Sequence, residues 1–555
     1  MAIGVRFFNR DFSDYIGKHW DAIEVKRYTT GAIGGSLQGG FDVYGSEEDI
    51  WKFVEMLRCP VRFYDEEMGG KDVWWGYIDK VDIYSTSGIR YGVDVDTMSN
   101  RIAVAYSYNY ERETTGWGSD MGSRTEYGTK ELLMSASDQT AEQALQYRAN
   151  RLEALKYPIR QPITFGGARD KAFARIRCLG WIATVAWKYY ANDSGKISFE
   201  KIDASDPGYL LGNGLKDYCA QSFKSTSTLS WNITTCALRI RRTYGVYDYV
   251  EYRIKEDAGG VPGDVVATCD VVWNYEMEDD GFHWYERDLD TPLTVNENDV
   301  YWIEAARRDW DSNDTEAHWY YMSAEYGGGY PDGKFLINKL PNALPWGWEE
   351  FGQEEGDEGE EDYVPYPDMA MHFRLVGESE TTQQIASIVS AAEFITDYEI
   401  VDTTGVMSYP FRDGESLALY ELEELLRIGT ASNLRLIVDI NKDRVLRIYE
   451  EPTVGVKDYS IDNRGVVRDP YNNEIHSAGC PVGYWAQLRG IIPASVDVTQ
   501  LAGGAKMFVE QAEYNATTGV YRVLQARDSS VVVDALEELR DPEARFSRRE
   551  KYSQG

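Results

Sequence analysis

The chain lacks a long hydrophobic run. Across its 555 residues, no apolar stretch approaches the roughly 20 residues that a membrane-spanning helix requires. The opening segment, MAIGVRFFNRDFSDYIG, has no basic region followed by an apolar core, so it predicts no signal peptide. We therefore expect that the chain has no membrane span and that it is made in the cytoplasm.

Cysteine and histidine are scarce and scattered. The six cysteines show neither CxxC nor metal-finger spacing. They are typical of a reduced chain in which cysteine acts as a small apolar residue, although Cys236 and Cys269 could pair across a sandwich. The five histidines form no HExxH motif and no convincing Ser-His-Asp order, and His283 and His318 are interpreted as strand residues. The sequence therefore predicts no enzyme.

Basic residues are outnumbered. The chain has 57 Lys and Arg against 92 Asp and Glu, a net charge of −35. Such a charge repels nucleic acid and anionic membranes, so we expect no nucleic-acid partner. The 43% hydrophobic share is ample for globular packing and excludes wholesale disorder. The length exceeds what one hydrophobic core supports, so we expect several domains.

Phenylalanine is less common than tyrosine. The chain has 18 Phe against 40 Tyr and 16 Trp, and the last two types suit sheets, interfaces and sugar-binding surfaces. Apolar and polar residues alternate in 22–27, 73–83 and 91–110, which predicts strands. The predicted fold class is mainly β, with a few helices.

Three helices are predicted from their ends. The first follows Ser46 as N-cap, the second covers 140–156 behind Asp138, and the third covers 415–428 and ends at Gly429 as an αL-type cap. Strands follow the first and third helices closely, and the third is followed by a hairpin over 434–449. Helix followed by strand pair, once in each half, indicates a weak internal duplication.

The middle of the chain differs from its flanks. Residues 217–377 carry more than half of the net negative charge and eight of the 16 Trp, and they show strand patterns without a helix of useful length. This predicts an antiparallel sandwich inserted into another fold. Within it, residues 349–362 hold nine acids in 14 residues, which predicts a solvated loop.

Two kinds of binding site are candidates in this insertion. The segment RRDWDSNDTE offers hard oxygen ligands for Ca²⁺ at Asp309, Asp311, Asn313 and Asp314. Because it lacks the central Gly and the acid at the twelfth position of a calcium loop, a polar hairpin turn is the alternative. Apart from Ca²⁺, no cofactor is expected.

Exposed aromatic rings beside polar groups bind sugars by stacking. The tryptophans of the insertion that could do so are Trp273, Trp284, Trp310, Trp319, Trp346 and Trp348. We assign the candidate glycan site to the last four. Trp346 and Trp348, in the loop PWGWEEF, are expected to be the most exposed. Otherwise these rings pack against the sandwich or a neighbouring subunit.

The insertion resembles the jelly-roll modules of surface and phage-tail proteins. The resemblance lies in Phe223 as opening aromatic, in an apolar strand that ends at Arg241 and Arg242, in the turn 260–263 (GVPG), and in the closing strand MAMHFRLVG. It covers about 160 residues. It implies a jelly-roll fold and does not identify a ligand.

The flanks resemble the tail-hub proteins of long-tailed phages and contractile injection machines. The segments concerned are VDVDTMSNRIAVAYSY (93–108), FRDGESLALYELEELLRIG (411–429) and the hairpin that follows. The resemblance implies two hub-type β-barrel domains per chain, and a trimer at the tail tip of a virion. It also implies contacts with tail tube, distal-tail ring and tip or fibre proteins. The large acidic insertion departs from this family, whose core hub does not require it. We expect the insertion to face outward, where it could touch a host-surface glycan.

The predicted domains combine the patterns of the chain with these resemblances. They are a first barrel (1–135), a connecting domain (136–216), the acidic jelly roll (217–377), a second barrel (378–530) and a charged helical tail (531–555). Two alternatives stay open. One is a six-fold distal-tail ring protein with a carbohydrate-binding insertion, and the other is a glycan-degrading enzyme.

Overall fold

The structure is a computed structural model. It describes residues 3–15, 22–108, 111–200, 209–211, 218–244, 248–309, 319–326, 333–338, 348–350, 369–400, 406–431, 434–451, 459–461, 464–469, 471, 473–474, 482–488 and 506–527.

Strands dominate the described residues, and the predicted mainly β fold class is confirmed. In the first part of the chain the strands are β1 (Ile3–Phe7), β2 (Ala22–Gly31), β3 (Gly35–Gly45), β4 (Pro60–Asp65), β5 (Lys71–Tyr84), β6 (Ile89–Asp94), β7 (Arg101–Tyr108), β8 (Glu111–Thr114), β9 (Gly118–Ser119), β10 (Glu131–Ser137), β11 (Ile159–Arg160), β12 (Thr164–Phe165), β13 (Ala172–Leu179), β14 (Tyr189–Asn192) and β15 (Lys196–Phe199). In the middle they are β16 (Tyr209–Leu211), β17 (Tyr218–Lys224), β18 (Trp231–Tyr244), β19 (Asp248–Asp257), β20 (Pro262–Thr268), β21 (Val272–Trp273), β22 (His283–Val295), β23 (Val300–Asp309), β24 (Trp319–Met322), β25 (Ala324–Tyr326), β26 (Phe335–Asn338), β27 (Trp348–Glu350), β28 (Met369–Met371) and β29 (Phe373–Glu380). The last part contains β30 (Asp397–Ile400), β31 (Met407–Ser408), β32 (Arg412–Leu417), β33 (Leu436–Ile440), β34 (Val445–Glu450), β35 (Tyr459–Ile461), β36 (Val467–Arg468), β37 (Trp485–Leu488), β38 (Lys506–Asn515) and β39 (Val520–Arg527).

The described helices are short. The α-helices are α1 (Glu47–Trp51), α2 (Met121–Tyr127), α3 (Ala141–Leu155), α4 (Thr381–Ser390) and α5 (Ala418–Ile428), and the 3-10 helices cover Lys52–Val54, Trp181–Trp187 and Asn274–Glu276. Among the helices described, none combines the length and the apolar character needed to cross a membrane.

The chain forms two compact units. Unit 1 consists of Met1–Tyr190, Ile385–Val406 and Gly414–Gly555, and unit 2 consists of Ala191–Gln384 and Met407–Asp413. Unit 2 contains the predicted insertion 217–377 within its bounds. The finer division into five domains stays a prediction.

One large sheet organises unit 1. Its strands run in the order β1-β4-β5-β13-β3-β2-β38-β37-β35-β36, with β6, β11, β12 and β39 attached. Strand β2 from the start of the chain pairs antiparallel with β38 from its end, so that Thr30 lies opposite Ala512. The two flanks therefore contribute to one sheet, and most of their buried apolar residues belong to one core cluster.

The predicted helix ends are largely confirmed. The Ser46 hydroxyl accepts the Asp49 N–H and caps α1, as expected. The second helix is capped by Thr140 rather than by Asp138, because Thr140 and Gln143 form a reciprocal capping box. Asp138 instead adopts a positive φ of 54°.

The third helix is shorter than predicted. It starts at Ala418, because residues up to Leu417 belong to strand β32. Gly429 ends the helix with a φ of 75°, as expected for glycine, but its ψ of −150° lies outside the αL region. A side chain there would also clash with the Leu434 carbonyl oxygen, 2.3 Å from the Cβ position.

The predicted helix-and-hairpin order is present twice in unit 1. Helix α1 is followed by the antiparallel pair β4 and β5, and α5 by the antiparallel pair β33 and β34. The hairpin over 434–449 is thereby confirmed. The internal duplication itself stays a prediction.

Unit 2 is an antiparallel sandwich. One sheet has the order β15-β29-β18-β24-β16 with β22 and β31 attached, and the other has the order β20-β19-β23-β17-β26-β27 with β21 attached. The described strand pairs of these sheets are antiparallel. Alternate residues of both sheets meet in one core, for example Leu238, Tyr252, Ile303 and Phe373.

The turn that carried the jelly-roll resemblance differs in detail. Positive φ angles occur at Gly259 and Gly260, and Pro262 already begins strand β20. The Asp257 carboxylate accepts the N–H of Gly260 at 3.0 Å and closes the turn. Gly263 lies within strand β20 and has no positive φ.

The five described cysteines are buried and free. Cys236 and Cys269, the pair considered for a disulfide, lie in the core of unit 2 as neighbouring thiols. Burial, followed by the contact with Cys269, raises the pKa of the Cys236 thiol well above its ordinary value. Both cysteines thus pack as small apolar residues.

Candidate functional site

The predicted calcium segment lies mostly outside the described residues. Asp309 is the last residue of β23, where its backbone pairs with Asp248. Asp311, Asn313 and Asp314 lie beyond the described part of the chain, as does the side chain of Asp309. The calcium site therefore stays a prediction.

The predicted glycan tryptophans are placed only in part. Trp319 begins β24 opposite Tyr244, and Trp348 begins β27 opposite Asn338. The structure describes neither side chain, and both Trp310 and Trp346 fall outside the described residues. The same holds for residues 351–368, which contain most of the acidic loop.

Another tryptophan of the insertion lies in a described aromatic group. Trp273, on β21, has its ring centroid 4.9 Å from that of Tyr249 and 6.1 Å from that of Tyr275. The planes of Trp273 and Tyr275 are nearly parallel, at 14°. Tyr275 is 71% exposed and Trp273 is half-buried. Rings in this state offer a stacking surface to a sugar.

A second group of side chains follows directly along the same turn. The Nε2 atom of His283 lies 2.9 Å from Asp280 Oδ1 and 3.6 Å from Glu278 Oε2. The three possible ligand atoms all lie within 4.8 Å of one another. The two groups follow each other along the chain, on strands of different sheets, and we refer to all six residues by the name 273–283 face.

The turn beneath the face is held by buried contacts. Asn274 is 1% exposed and donates from Nδ2 to the Tyr320 hydroxyl at 3.1 Å. Arg242 donates from Nη1 to the Asn274 carbonyl at 3.3 Å. The side chain of Met277 is buried in the core of unit 2. The face is therefore carried by a turn fixed on its inner side.

Polar contacts fix the rest of the turn. The Glu276 carboxylate accepts the Trp273 N–H at 2.9 Å and an Arg287 N–H at 2.6 Å. The Tyr285 hydroxyl accepts the Glu278 N–H at 2.7 Å. Burial, with the nearby Glu278 carboxylate, raises the pKa of Tyr285, so the hydroxyl stays protonated at neutral pH. The backbone of Glu278 is therefore fixed by a hydrogen bond, while its carboxylate stays 63% exposed.

The chemistry of the three ligand residues favours some cations over others. One imidazole nitrogen with two carboxylates suits Zn²⁺ and related first-row ions, whereas Ca²⁺ prefers oxygen ligands throughout. His283 is a strand residue, the first of β22, as interpreted from the sequence, but that interpretation did not indicate its grouping with Glu278 and Asp280. The spacing Glu278, Asp280, His283 around Gly281 (EDDGFH) was the signal, because a turn at that glycine brings the three residues together.

The other described histidine has no access to solvent. His372 is fully buried, stacks on Phe199 at 5.4 Å between ring centroids, and shares a 2.8 Å hydrogen bond with the Ser323 hydroxyl. Ser323 is 1% exposed. A substrate cannot reach this Ser-His contact, so it is part of the packing of unit 2.

The ring of the remaining candidate tryptophan, Trp284, is covered by the side chain of Arg374. The Arg374 guanidinium carbon lies 4.8 Å from its ring centroid. Arg374 also donates two hydrogen bonds to the Glu200 carboxylate, at 3.1 and 2.8 Å. Trp284 is thereby a structural residue, and Trp273 is the better candidate for ligand contact.

Comparison with known proteins leaves the family open. No family model matches the chain, and no curated protein matches it. Among solved structures, similarity is found to an uncharacterised protein of Listeria monocytogenes EGD-e in complex with glucose, magnesium and calcium, with 13% identity over 47% of this chain and 21% of the other, and a TM-score of 0.14. The Cry4Aa toxin of Bacillus thuringiensis shows 6% identity over 58% of this chain and 56% of its own, with a TM-score of 0.16. A chain from infectious bursal disease virus, Gt strain, shows 10% identity over 66% and 84%, with a TM-score of 0.14.

These similarities carry no argument about this chain. All three TM-scores lie far below the value that a shared fold requires. The chain spans about a fifth of the Listeria protein and just over half of the toxin chain. What this protein does must therefore be argued from its own residues.

Proposed function

We propose that the protein is a structural hub at the tail tip of a phage-like particle, and that its inserted sandwich presents a glycan-binding face to the host. The resemblance of the flanks to tail-hub proteins is the starting point. The observation that supports it most is that strands from both ends of the chain share the large sheet of unit 1, while unit 2 is inserted between them. A scaffold carrying an insertion fits assembly and presentation better than catalysis.

The oligomeric state tests the hub. Light scattering on a sizing column should give three times the 63.2 kDa mass of the chain, because a hub joins a six-fold tube to a three-fold tip through copies of itself. A six-fold particle would instead favour the distal-tail ring protein. A monomer at all concentrations would contradict the trimeric hub.

The glycan-binding role rests on the 273–283 face. Wild-type protein on a glycan array should show selective binding, and Tyr275→Ala should weaken it at least about tenfold, because stacking on an exposed ring is lost. Tyr471→Ala is the matched control, since Tyr471 is an 86% exposed tyrosine of unit 1. A blank array, or equal loss in both variants, would remove this role.

The calcium prediction for 309–314 has its own test. If these residues bind Ca²⁺, the melting temperature of unit 2 should fall when a chelator removes the ion, because a ligand that binds the folded state stabilises it. If the chelator does not change the melting temperature, the segment is a polar hairpin turn without a calcium site.

The proposal also excludes catalysis. Incubation with capsule or cell-wall polysaccharide should release no reducing ends. Release of reducing ends that is lost on changing one carboxylate pair would favour the glycan-degrading enzyme instead.

A further inference from the structure

Three backbone positions of unit 1 share an unfavourable conformation. Phe12, Arg58 and Arg444 have φ angles of 69°, 67° and 67°, in the left-handed region that bulky residues avoid. The other described non-glycine residues with positive φ are Asp138 and Asn298, whose short polar side chains tolerate it. Conformations of this kind concentrate at functional sites, so the contacts of the three side chains are informative.

The three side chains meet, although they come from separate segments of the chain. The guanidinium carbon of Arg444 lies 3.5 Å from the ring centroid of Phe12, and that of Arg58 lies 5.9 Å from the same centroid. Arg58 also lies 4.9 Å from the ring centroid of Phe394, and Arg444 lies 5.9 Å from that of Trp181. Two guanidinium groups thus share one aromatic cluster.

Arg58 is a buried cation with unused donors. It is 5% exposed, and its Nε and Nη1 have no hydrogen-bond acceptor among the described residues. Its Nη2 donates a long bond of 3.4 Å to the Glu126 carbonyl. Burial, together with the positive charges of Arg10 and Arg444, lowers the pKa of Arg58 to about 10, against the opposing effects of Cys59 and Glu393. Positive charge is therefore in local excess, in a chain whose net charge is −35.

A cavity of about 230 Å³ lies next to this cluster. Its aromatic and charged lining includes Phe12, Trp181, Arg62, Lys442, Asp443 and Arg444. Three cations and one carboxylate thus line the cavity, and Asp72, outside the lining, pairs with Arg62 at 3.5 Å. The volume is smaller than the roughly 300 Å³ at which small-molecule pockets begin, so it suits one functional group rather than a whole cofactor.

The geometry points to a site for a single oxyanion group, a carboxylate or a phosphate, bound by Arg444 and Arg62 in this cavity. Arg62 is already oriented there by a 3.0 Å bond from Nη2 to the Lys442 carbonyl, and it lies 3.5 Å from the carboxylates of Asp443 and Asp72. A bound oxyanion would share this guanidinium with them. A guanidinium fork matches both oxyanions with paired N–H donors. Arg58 lies against Phe12 without lining the cavity, and it is assigned as the buried charge that strengthens binding.

The test uses the full chain and simple anions. Thermal unfolding is followed in rising sodium phosphate or sodium acetate, with sodium chloride holding the ionic strength constant. A saturable rise of the unit 1 transition is expected, since an anion that binds the folded state stabilises it. Arg444→Gln should weaken the apparent affinity at least about tenfold. Arg58→Met should weaken it less, because its charge acts across Phe12.

Arg447→Gln is the matched control. Arg447 lies in β34, three residues after Arg444, but its guanidinium pairs with Glu399 at 2.8 Å and does not line the cavity. A stronger effect of phosphate would indicate a phosphate-bearing ligand, and a stronger effect of acetate a protein carboxylate. No rise beyond the chloride control, or equal loss in Arg444→Gln and Arg447→Gln, would overturn the proposal.

Discussion

The two units use acidic residues differently. Unit 1 buries several carboxylates among its described residues and ties each of them into the fold. Asp79 pairs with Arg177, Asp42 accepts from Arg175 at 3.1 Å, and Asp65 accepts the N–H of Glu67 at 2.9 Å. In unit 2, Glu304 is the one buried carboxylate among the described residues, with Lys255 at 2.8 Å.

The sequence of unit 2 is nevertheless the more acidic. Most of its charge must therefore be carried at the surface or in segments outside the described residues. The comparison teaches that the net charge of a region does not indicate whether its carboxylates are buried and bonded within the fold. In unit 1 several buried carboxylates hold strands together, whereas in unit 2 every described carboxylate except Glu304 is at least partly exposed.

The largest expected effect concerns the separate cores. Phe373 is fully buried in unit 2 and Phe63 is fully buried in unit 1. Phe373→Ala should cost about 3 to 5 kcal/mol and lower one calorimetric transition, because it leaves a cavity in that core alone. Phe63→Ala should lower the other transition by a similar amount. If both variants shift one shared transition equally, the two cores do not unfold independently, and the division into two cores is contradicted.

A smaller effect concerns an ion pair of unit 2. Although burial acts in the opposite direction, hydrogen bonds from Arg374 and Lys196 lower the pKa of Glu200 to about 2, from an ordinary value of 4.5. Because the pKa is lower in the folded state, the ionised group stabilises the fold fully above about pH 4.5. That contribution is lost as the pH falls toward about 2.

Glu200→Gln should therefore lower the free energy of unfolding by about 1 to 3 kcal/mol at pH 7, and by almost nothing near pH 2. Denaturant titrations at both pH values measure this. Glu399→Gln in unit 1 is the control, because its carboxylate is 53% exposed and pairs with Arg447 at the surface. It should cost less than about 1 kcal/mol. A pH-independent cost for Glu200→Gln would show that packing, rather than charge, explains its role.

Local patterns could be predicted from the sequence, and distant pairings could not. Ser46 as a cap and the hairpin after Gly429 depend on neighbours within a few residues, and the structure confirms both. The pairing of β2 with β38 joins residues almost 500 positions apart, and no local signal in either strand specifies the partner.

The candidate sites show the same limit. Trp273 was recognised from its residue type, but its contact with Tyr275 depends on a 3-10 turn that alternation did not indicate. The cluster of Phe12, Arg58 and Arg444 could not be predicted, because it depends on three loops meeting in space. The residue types in the sequence indicate which kinds of ligand a site could bind. Only the tertiary structure shows which residues lie close enough to act together.

The smallest expected effect tests the acidic surface of unit 2. Titration with Zn²⁺ should show one saturable site, and His283→Ala should raise its Kd at least about tenfold, or about 1.4 kcal/mol, because the imidazole is the preferred ligand of the three. Glu286→Gln, an exposed carboxylate three residues along the same strand, should leave the Kd unchanged. Equal Kd values for His283→Ala and wild type would mean that the acids of unit 2 attract Zn²⁺ only through their diffuse charge, and that the 273–283 face holds no defined cation site.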